Sequence, residues 1–347
     1  MRKRLPLKVL VLGATGLLGS NLVRALLTRG DEVRALIRAS NPASTLSGLT
    51  FERVNGDLND AAAVARACRG VTVVYHAAGY YPPQTIPAAV AVRVAMRQTR
   101  HVITALGKAR PSIQKLVFVS TLTTIGRPHV PGGLADETCE FQTIYSDNPY
   151  LMAKQAMERA ILDAAARGLP AVVVNPTCFY GPYDSKPTSG TQILMIAKRM
   201  MPAYVQGRIN VIDVRDVAIA MIKAADAGRV GERYIIGNWN TTHQEANELI
   251  ARVAAVMPPL IPVPFSLAHW GSKVGDWGFR EFLRRPAPVP SFFIEMLPHM
   301  QHYDCSKAIR ELGYPRNPIE PAIRDALHWF RTNGYLSGTN ISRMVVV

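Results

Sequence analysis

The chain has 347 residues and a mass of 38.0 kDa, room for one large α/β domain or for a domain carrying a smaller lobe. Its 48% hydrophobic and 19% charged content excludes a disordered chain. The net charge of +15 raises nucleic acid, membrane surfaces and anionic small molecules as partners, but the basic residues are scattered except at "MRKR" and "REFLRRP", so no nucleic-acid partner is expected.

In chain order, apolar β-branched runs alternate with helical stretches. "LKVLVLG" (7–13) predicts a buried strand, "GSNLVRALLTRG" (19–30) a helix and "DEVRALIR" (31–38) a second strand. "FERVNGDL" (51–58), "VTVVYHAAG" (71–79), "KLVFVST" (115–121) and "LPAVVVNP" (169–176) predict four more strands, with helices at 60–70, at 88–109 and through "NPYLMAKQAMERA" (148–160). Such an alternation implies a doubly wound parallel Rossmann sheet covered on both faces. After Pro176 the rhythm breaks into Gly- and Pro-rich loops and returns only at "NVIDVRDVAIAMIKAAD" and "ERYIIGN". We therefore expect a dinucleotide-binding domain over 1–176, rejoined by 209–240, and a smaller C-terminal substrate lobe over 177–208 and 241–347. From 257 to 300 prolines and aromatics cluster with no clear period. Trp270, Trp277, Phe279, Phe282, Phe292 and Phe293 stand there beside Arg280, Arg284 and Arg285. That cluster fits the core and rim of a lobe, a hydrophobic substrate or a peripheral membrane contact; a homodimer is the other association left open.

Cys68, Cys139, Cys178 and Cys305 are far apart, with no CxxC and no metal-type spacing to histidine, so no metal site and a reducing compartment are expected. The basic, apolar N-terminus has the look of a secretory signal, but it runs straight into a glycine motif. No window approaches 18 uncharged apolar residues, and a cytoplasmic protein is expected.

"GATGLLG" places Gly13, Gly16 and Gly19 between the first strand and the first helix, where residues without Cβ let the backbone approach a pyrophosphate at a helix N-terminus. Where an NAD site has an acid, about 20 residues past the glycines, stands Arg38, followed by Ser40. A guanidinium pairs with a 2′-phosphate, so NADP is favoured, with NAD as the alternative. Asp57 and Leu58 follow the third strand, where they either face an adenine or cap the next helix. In the opening of the 148–160 helix, Tyr150 and Lys154 share one face at i and i+4, so a phenol and an ammonium can act on one bound molecule.

The glycine pattern, "GDL", "HAAG", the Tyr150–Lys154 pair and "NP" at 175–176, in that order, resemble the extended short-chain dehydrogenase/reductase superfamily. "LPAVVVNPTCFYGPYDSKPTSG", "GRINVIDVRDVA", "GERYIIGN" and "CSKAIRELGY" are similar to its dihydroflavonol reductase-like branch, which includes hopanoid-associated sugar epimerases. The resemblance implies that Tyr150 is the acid or base at the substrate oxygen and that Lys154 lowers its pKa and holds the nicotinamide ribose. Counting back from Gly126 assigns the third member of the triad to Thr121, with Ser120 as its rival. The implied cofactor site comprises Gly13, Thr15, Gly16, Leu17, Leu18, Gly19, Arg38, Asp57, Leu58, Ala77, Ala78, Lys154 and Pro176. Tyr80 and Tyr81 are expected to line the substrate site or cover the core. Thr123, Asn175 and Arg208 are further expected substrate contacts, and Lys186 and Arg208 could meet an anionic substrate or stand in solvent. The asparagine that many members carry in the helix after the fourth strand is replaced here by Ala95, with Gln98 at a usual glycine. The expected activity is NADP(H)-dependent interconversion of a ketone and a secondary alcohol. The alternatives are a nucleotide-sugar epimerase or dehydratase with retained NAD(P) and a non-catalytic NADP-binding redox sensor.

Overall fold

Continuous Val, Leu and Ile runs can be buried on both faces only in the centre of a sheet, and that is where they lie. The computed structural model describes residues 5–83, 85–109, 112–142, 148–284 and 291–336. The first half runs β1 (Lys8–Leu12), α1 (Leu17–Thr28), β2 (Glu32–Ile37), β3 (Glu52–Asn55), α2 (Ala61–Cys68), β4 (Val73–His76), α3 (Ala88–Lys108), β5 (Lys115–Val119), α4 (Pro149–Ala166) and β6 (Ala171–Pro176). The second half runs β7 (Cys178–Tyr180), α5 (Gly190–Ala197), β8 (Ala203–Val205), β9 (Arg208–Asp213), α6 (Val214–Ala227), β10 (Arg233–Ile236), β11 (Trp239–Thr242), α7 (His243–Ala254), β12 (Ile261–Val263), α8 (Phe265–Leu283), α9 (Ser291–Met296), α10 (Ser306–Leu312) and α11 (Ile319–Thr332).

The main sheet has seven strands in the order β10-β6-β5-β4-β1-β2-β3. All its pairings are parallel, with Val9 opposite both Val33 and Val73. The pleat sorts the core: Val9 and Val11 pack with α1 and α6, while Leu10 and Leu12 pack with α2, α3 and α4. Strand order reverses between β1 and β4, and at this switch point a crevice opens beyond the carboxyl ends of the strands.

Beyond β6, a three-stranded sheet in the order β11-β9-β7 is packed by α5, α7 and α11, and β12 pairs with β8 in a separate two-stranded sheet. The aperiodic stretch after 257 contains the 19-residue α8. Of the expected cluster, Trp270, Trp277 and Phe282 are exposed, as are Leu267 and Val274 of the same helix, so these side chains do not lie in a lobe core. Arg285 lies outside the described residues, as do the side chains of Arg280, Phe292 and Phe293. Among the described residues no helix is long and apolar enough to cross a membrane.

Candidate active site

The glycine turn leaves β1 at Gly13, whose φ of +84° is left-handed and whose added Cβ would lie 2.5–2.7 Å from the Ala77–Ala78 backbone. At Gly19 a Cβ would strike the Gly13 carbonyl. Close packing of the chain explains both. Gly16 differs: its φ of −80° suits any residue, and an added Cβ would touch only the Gly13 carbonyl, at 3.5 Å. It is the N-cap of α1 and provides no side-chain cap, so the first N–H groups of the helix are presented to the crevice. A missing side chain that the protein's own packing does not demand, at an uncapped helix N-terminus, fits close approach of an anionic ligand. These residues therefore suit a dinucleotide diphosphate.

The loop after β2 folds onto this turn. Asn41 Nδ2 donates to Thr15 Oγ1 (3.2 Å), Thr45 Oγ1 donates to the Thr15 carbonyl (3.1 Å), and Arg53 holds the carbonyls of Arg38 and Asn41. Arg38 is exposed at the mouth of the crevice. Asp57 Oδ1 accepts from the backbone and side chain of Asn59, whereas the cap of α2 is Asp60. Asp57 and Leu58 thus face the crevice and do not end a helix.

On the other side, the Asn148 side chain caps α4 by accepting from the N–H groups of Tyr150 (3.0 Å) and Leu151 (3.1 Å), with Pro149 preset for the first turn. That start fixes Tyr150 and Lys154, 7% and 3% exposed, on the face turned to β5. Lys154 Nζ donates to the Val119 carbonyl at 3.1 Å and lies 5.6 Å from the centre of the Phe118 ring. The Tyr150 hydroxyl is hydrogen-bonded to Thr121 and Tyr81, and the Tyr81 ring stacks on Tyr150 with centroids 5.2 Å apart. Ser120, the rival of Thr121, turns its hydroxyl to Thr124 Oγ1 at 3.2 Å.

Burial pushes the Tyr150 phenol above its ordinary pKa, against the pull of the Thr121 and Tyr81 hydrogen bonds. Burial also pushes the Lys154 ammonium down to about 8, with Glu158 opposing. His76, fully buried and near Lys154, is pushed down to about 4, first by burial and then by that cation. Buried Asp184 is pushed up to about 7, although its carboxylate accepts from the N–H groups of Thr188 and Gly190.

One cavity of about 760 Å³ joins the two halves, within the size range of small-molecule and cofactor sites. Its lining includes every residue expected to hold the cofactor, the triad Thr121, Tyr150 and Lys154, and also Tyr80, Tyr81 and Lys186. Three expected substrate contacts lie elsewhere. Arg208 is exposed outside the cavity, its Nη1 donating to the Gly132 carbonyl at 2.6 Å. Thr123 is buried behind Thr121 and donates to its hydroxyl at 3.3 Å. Asn175 is also buried there, its amide donating to the Thr121 carbonyl and to Glu158. At the departure from the family pattern, Ala95 is buried against the sheet, while Arg97 and Gln98 line the cavity and both donate to Asn59 Oδ1. Sequence reasoning missed Arg97, Asn41, Ser44 and Asp184 as lining residues. Asp184 stands in the quoted "GPYDSKPTSG", where its carboxylate was the available signal.

Comparison with known proteins agrees with this geometry. Residues 9–237 match the NAD dependent epimerase/dehydratase family. A Synechocystis sp. protein provisionally named dihydroflavonol 4-reductase is 35% identical over 94% of this chain and 95% of its own length. Sterol demethylase protein B of Methylococcus capsulatus is 31% identical over 94% of this chain and 99% of its own. The crystal structure of a nucleoside-diphosphate-sugar epimerase from Pseudomonas aeruginosa superposes with a TM-score of 0.80 at 27% identity, covering 95% of this chain and 99% of that one. The chain belongs to the NAD-dependent epimerase/dehydratase family of extended short-chain dehydrogenases/reductases and is an NAD(P)-dependent oxidoreductase.

Proposed function

We propose that the protein is an NADP(H)-dependent reductase that turns a ketone into a secondary alcohol. The observation that carries this reading is the single cavity lined by the glycine turn at one end and by Thr121, Tyr150 and Lys154 at the other. The dinucleotide, when bound, supplies the hydride. Gly16 and the N-terminus of α1 bind its diphosphate, and Arg38 pairs with the 2′-phosphate; no acidic residue stands between Arg38 and Ser47 to repel it. Tyr150 donates its phenolic proton to the carbonyl oxygen, and its raised pKa keeps that proton in place until the oxygen gains charge. Thr121 orients the same oxygen through its hydroxyl. Lys154 stays an ammonium at neutral pH, compensates the phenolate left behind and steadies the nicotinamide ribose. Tyr81, stacked on Tyr150, gives the carbonyl compound an apolar wall and limits water at the reacting oxygen. Lys186, Asp184 and Ser189 reach the cavity from 177–208, the first part of the proposed substrate lobe.

The provisional reductase name of the Synechocystis relative supports this reading. The Pseudomonas structure favours a second one, epimerisation of a nucleotide sugar with retained cofactor. A redox sensor needs neither Tyr150 nor Lys154. The test is NADPH oxidation by the purified chain across a panel of ketones and, separately, nucleotide sugars. We expect one equivalent of NADPH consumed per alcohol formed, and a panel that yields only inverted sugars with no net oxidation would refute the reductase.

A further inference from the structure

Behind the cavity, one turn past Lys154 on α4, stands a carboxylate that the chemistry above does not use. Glu158 is 4% exposed. Its Oε1 accepts from Arg233 Nη1 of β10 at 3.0 Å, and its Oε2 accepts from Asn175 Nδ2 of β6 at 2.8 Å and from Thr124 Oγ1 at 2.6 Å. The single Thr124 proton goes to this charged acceptor, which leaves the Thr121 carbonyl, 2.8 Å from the same hydroxyl, to the Asn175 amide at 3.2 Å. Arg233 is fixed in turn by the carbonyls of Glu137 and Cys139. Two strands and the segment carrying Thr121 thus meet on one side chain. Burying a carboxylate is costly, and a helix asks for none at this position, so the cost points to a role beyond packing.

We propose that Glu158 is a positioning residue for the proton-transfer pair, holding the Thr121 segment in place through Asn175 and Thr124 and keeping Lys154 charged. The inference rests on the reading of Tyr150 and Lys154 as the working pair. The groups facing Lys154 are Glu158 on its own helix, His76 at the end of β4, and the Phe118 ring and Val119 carbonyl of β5. His76 is neutral above about pH 4, so it gives Lys154 no negative partner. Glu158 raises the Lys154 pKa against the burial that brings it to about 8. Removing its charge therefore lets Lys154 lose its proton at lower pH, and leaves the Arg233 cation without its carboxylate.

The test compares the full-length wild type, Glu158→Gln, Glu158→Asp and Lys154→Met by NADPH fluorescence titration and by the pH profile of carbonyl reduction. The wild type is expected to lose activity and cofactor affinity as pH rises through about 8. In Glu158→Gln this limb moves to lower pH, Glu158→Asp restores it, and Lys154→Met lacks it. A Glu158→Gln limb that stays in place, or a wild type without one, overturns the proposal. A Lys154→Met enzyme with the wild-type profile instead overturns the reading of Lys154 itself. Should Glu158→Gln fail to fold, the double variant Glu158→Gln/Arg233→Gln removes both buried charges and carries the same expectation, because Glu158 is the partner that acts on Lys154.

Discussion

Substituting Gly16 by valine separates cofactor binding from folding. Its φ of −80° admits any residue, and the nearest heavy atom to a new Cβ is 3.5 Å away. Replacing glycine at an N-cap by valine costs about 1 kcal/mol or less, a fall in Tm of roughly 1–2 °C for a chain of this size. The same methyl groups would stand where the diphosphate approaches α1. Losing one charge-assisted hydrogen bond, about 1.5–3 kcal/mol, and the helix N-terminal field, about 0.3–1 kcal/mol, weakens NADPH binding by roughly 20- to 800-fold. Gly13→Val is the contrast. There the new Cβ would lie 2.5–2.7 Å from the Ala77–Ala78 backbone in a left-handed conformation, so β4 must move and the fold suffers before binding does. Thermal melts and NADPH fluorescence titrations of both variants make the comparison. A Gly16→Val protein that binds NADPH like the wild type, or that melts as early as Gly13→Val, would refute the reasoning.

Tyr150→Phe should keep cofactor affinity while turnover falls ~10²-fold or more, the range of a lost general acid, as stopped-flow and steady-state assays would read. Arg38→Asp should weaken NADPH by about 1.5–3 kcal/mol with NADH little changed, because the lost pair is specific to the 2′-phosphate; titration of both cofactors decides it. Reduction should decline as pH rises through about 8, since Lys154 is charged below that value and neutral above it; a rate flat to pH 10 would contradict the role of the ammonium. Arg208→Ala should leave kcat and KM near wild type, since Arg208 touches the Gly132 carbonyl and lies outside the cavity lining.

Five of the first six strands were legible because each is an apolar run bounded by Gly, Pro or a polar turn, and burial leaves no other place for such runs; β3, the exposed edge strand ERVN, was legible from its place in the alternation. The glycine turn and the Tyr150–Lys154 pair were legible because each depends on local spacing alone. What sequence reasoning missed depends on distant partners. Asn175 lies at the expected edge of the sheet, but Glu158 draws its side chain behind Thr121. Arg208 was weighed as an anion contact, yet the Gly132 carbonyl holds it elsewhere. Arg97 and Gln98 enter the cavity through their shared bond to Asn59, which no helical period announces. The α8 helix hid because its large apolar side chains face outward and glycines interrupt it at 271, 275 and 278, so no inward stripe existed to be read.

The most direct test of the central claim is the fate of the transferred hydrogen. NADPH deuterated at C4 on the transferring face would be supplied with candidate ketones and, separately, with nucleotide sugars. A reductase must place deuterium in the alcohol stoichiometrically, with a matching loss of reduced-cofactor absorbance. Inversion of a nucleotide sugar at one carbon, with catalytic cofactor, no net oxidation and no deuterium in the product, would contradict the account and establish the epimerase.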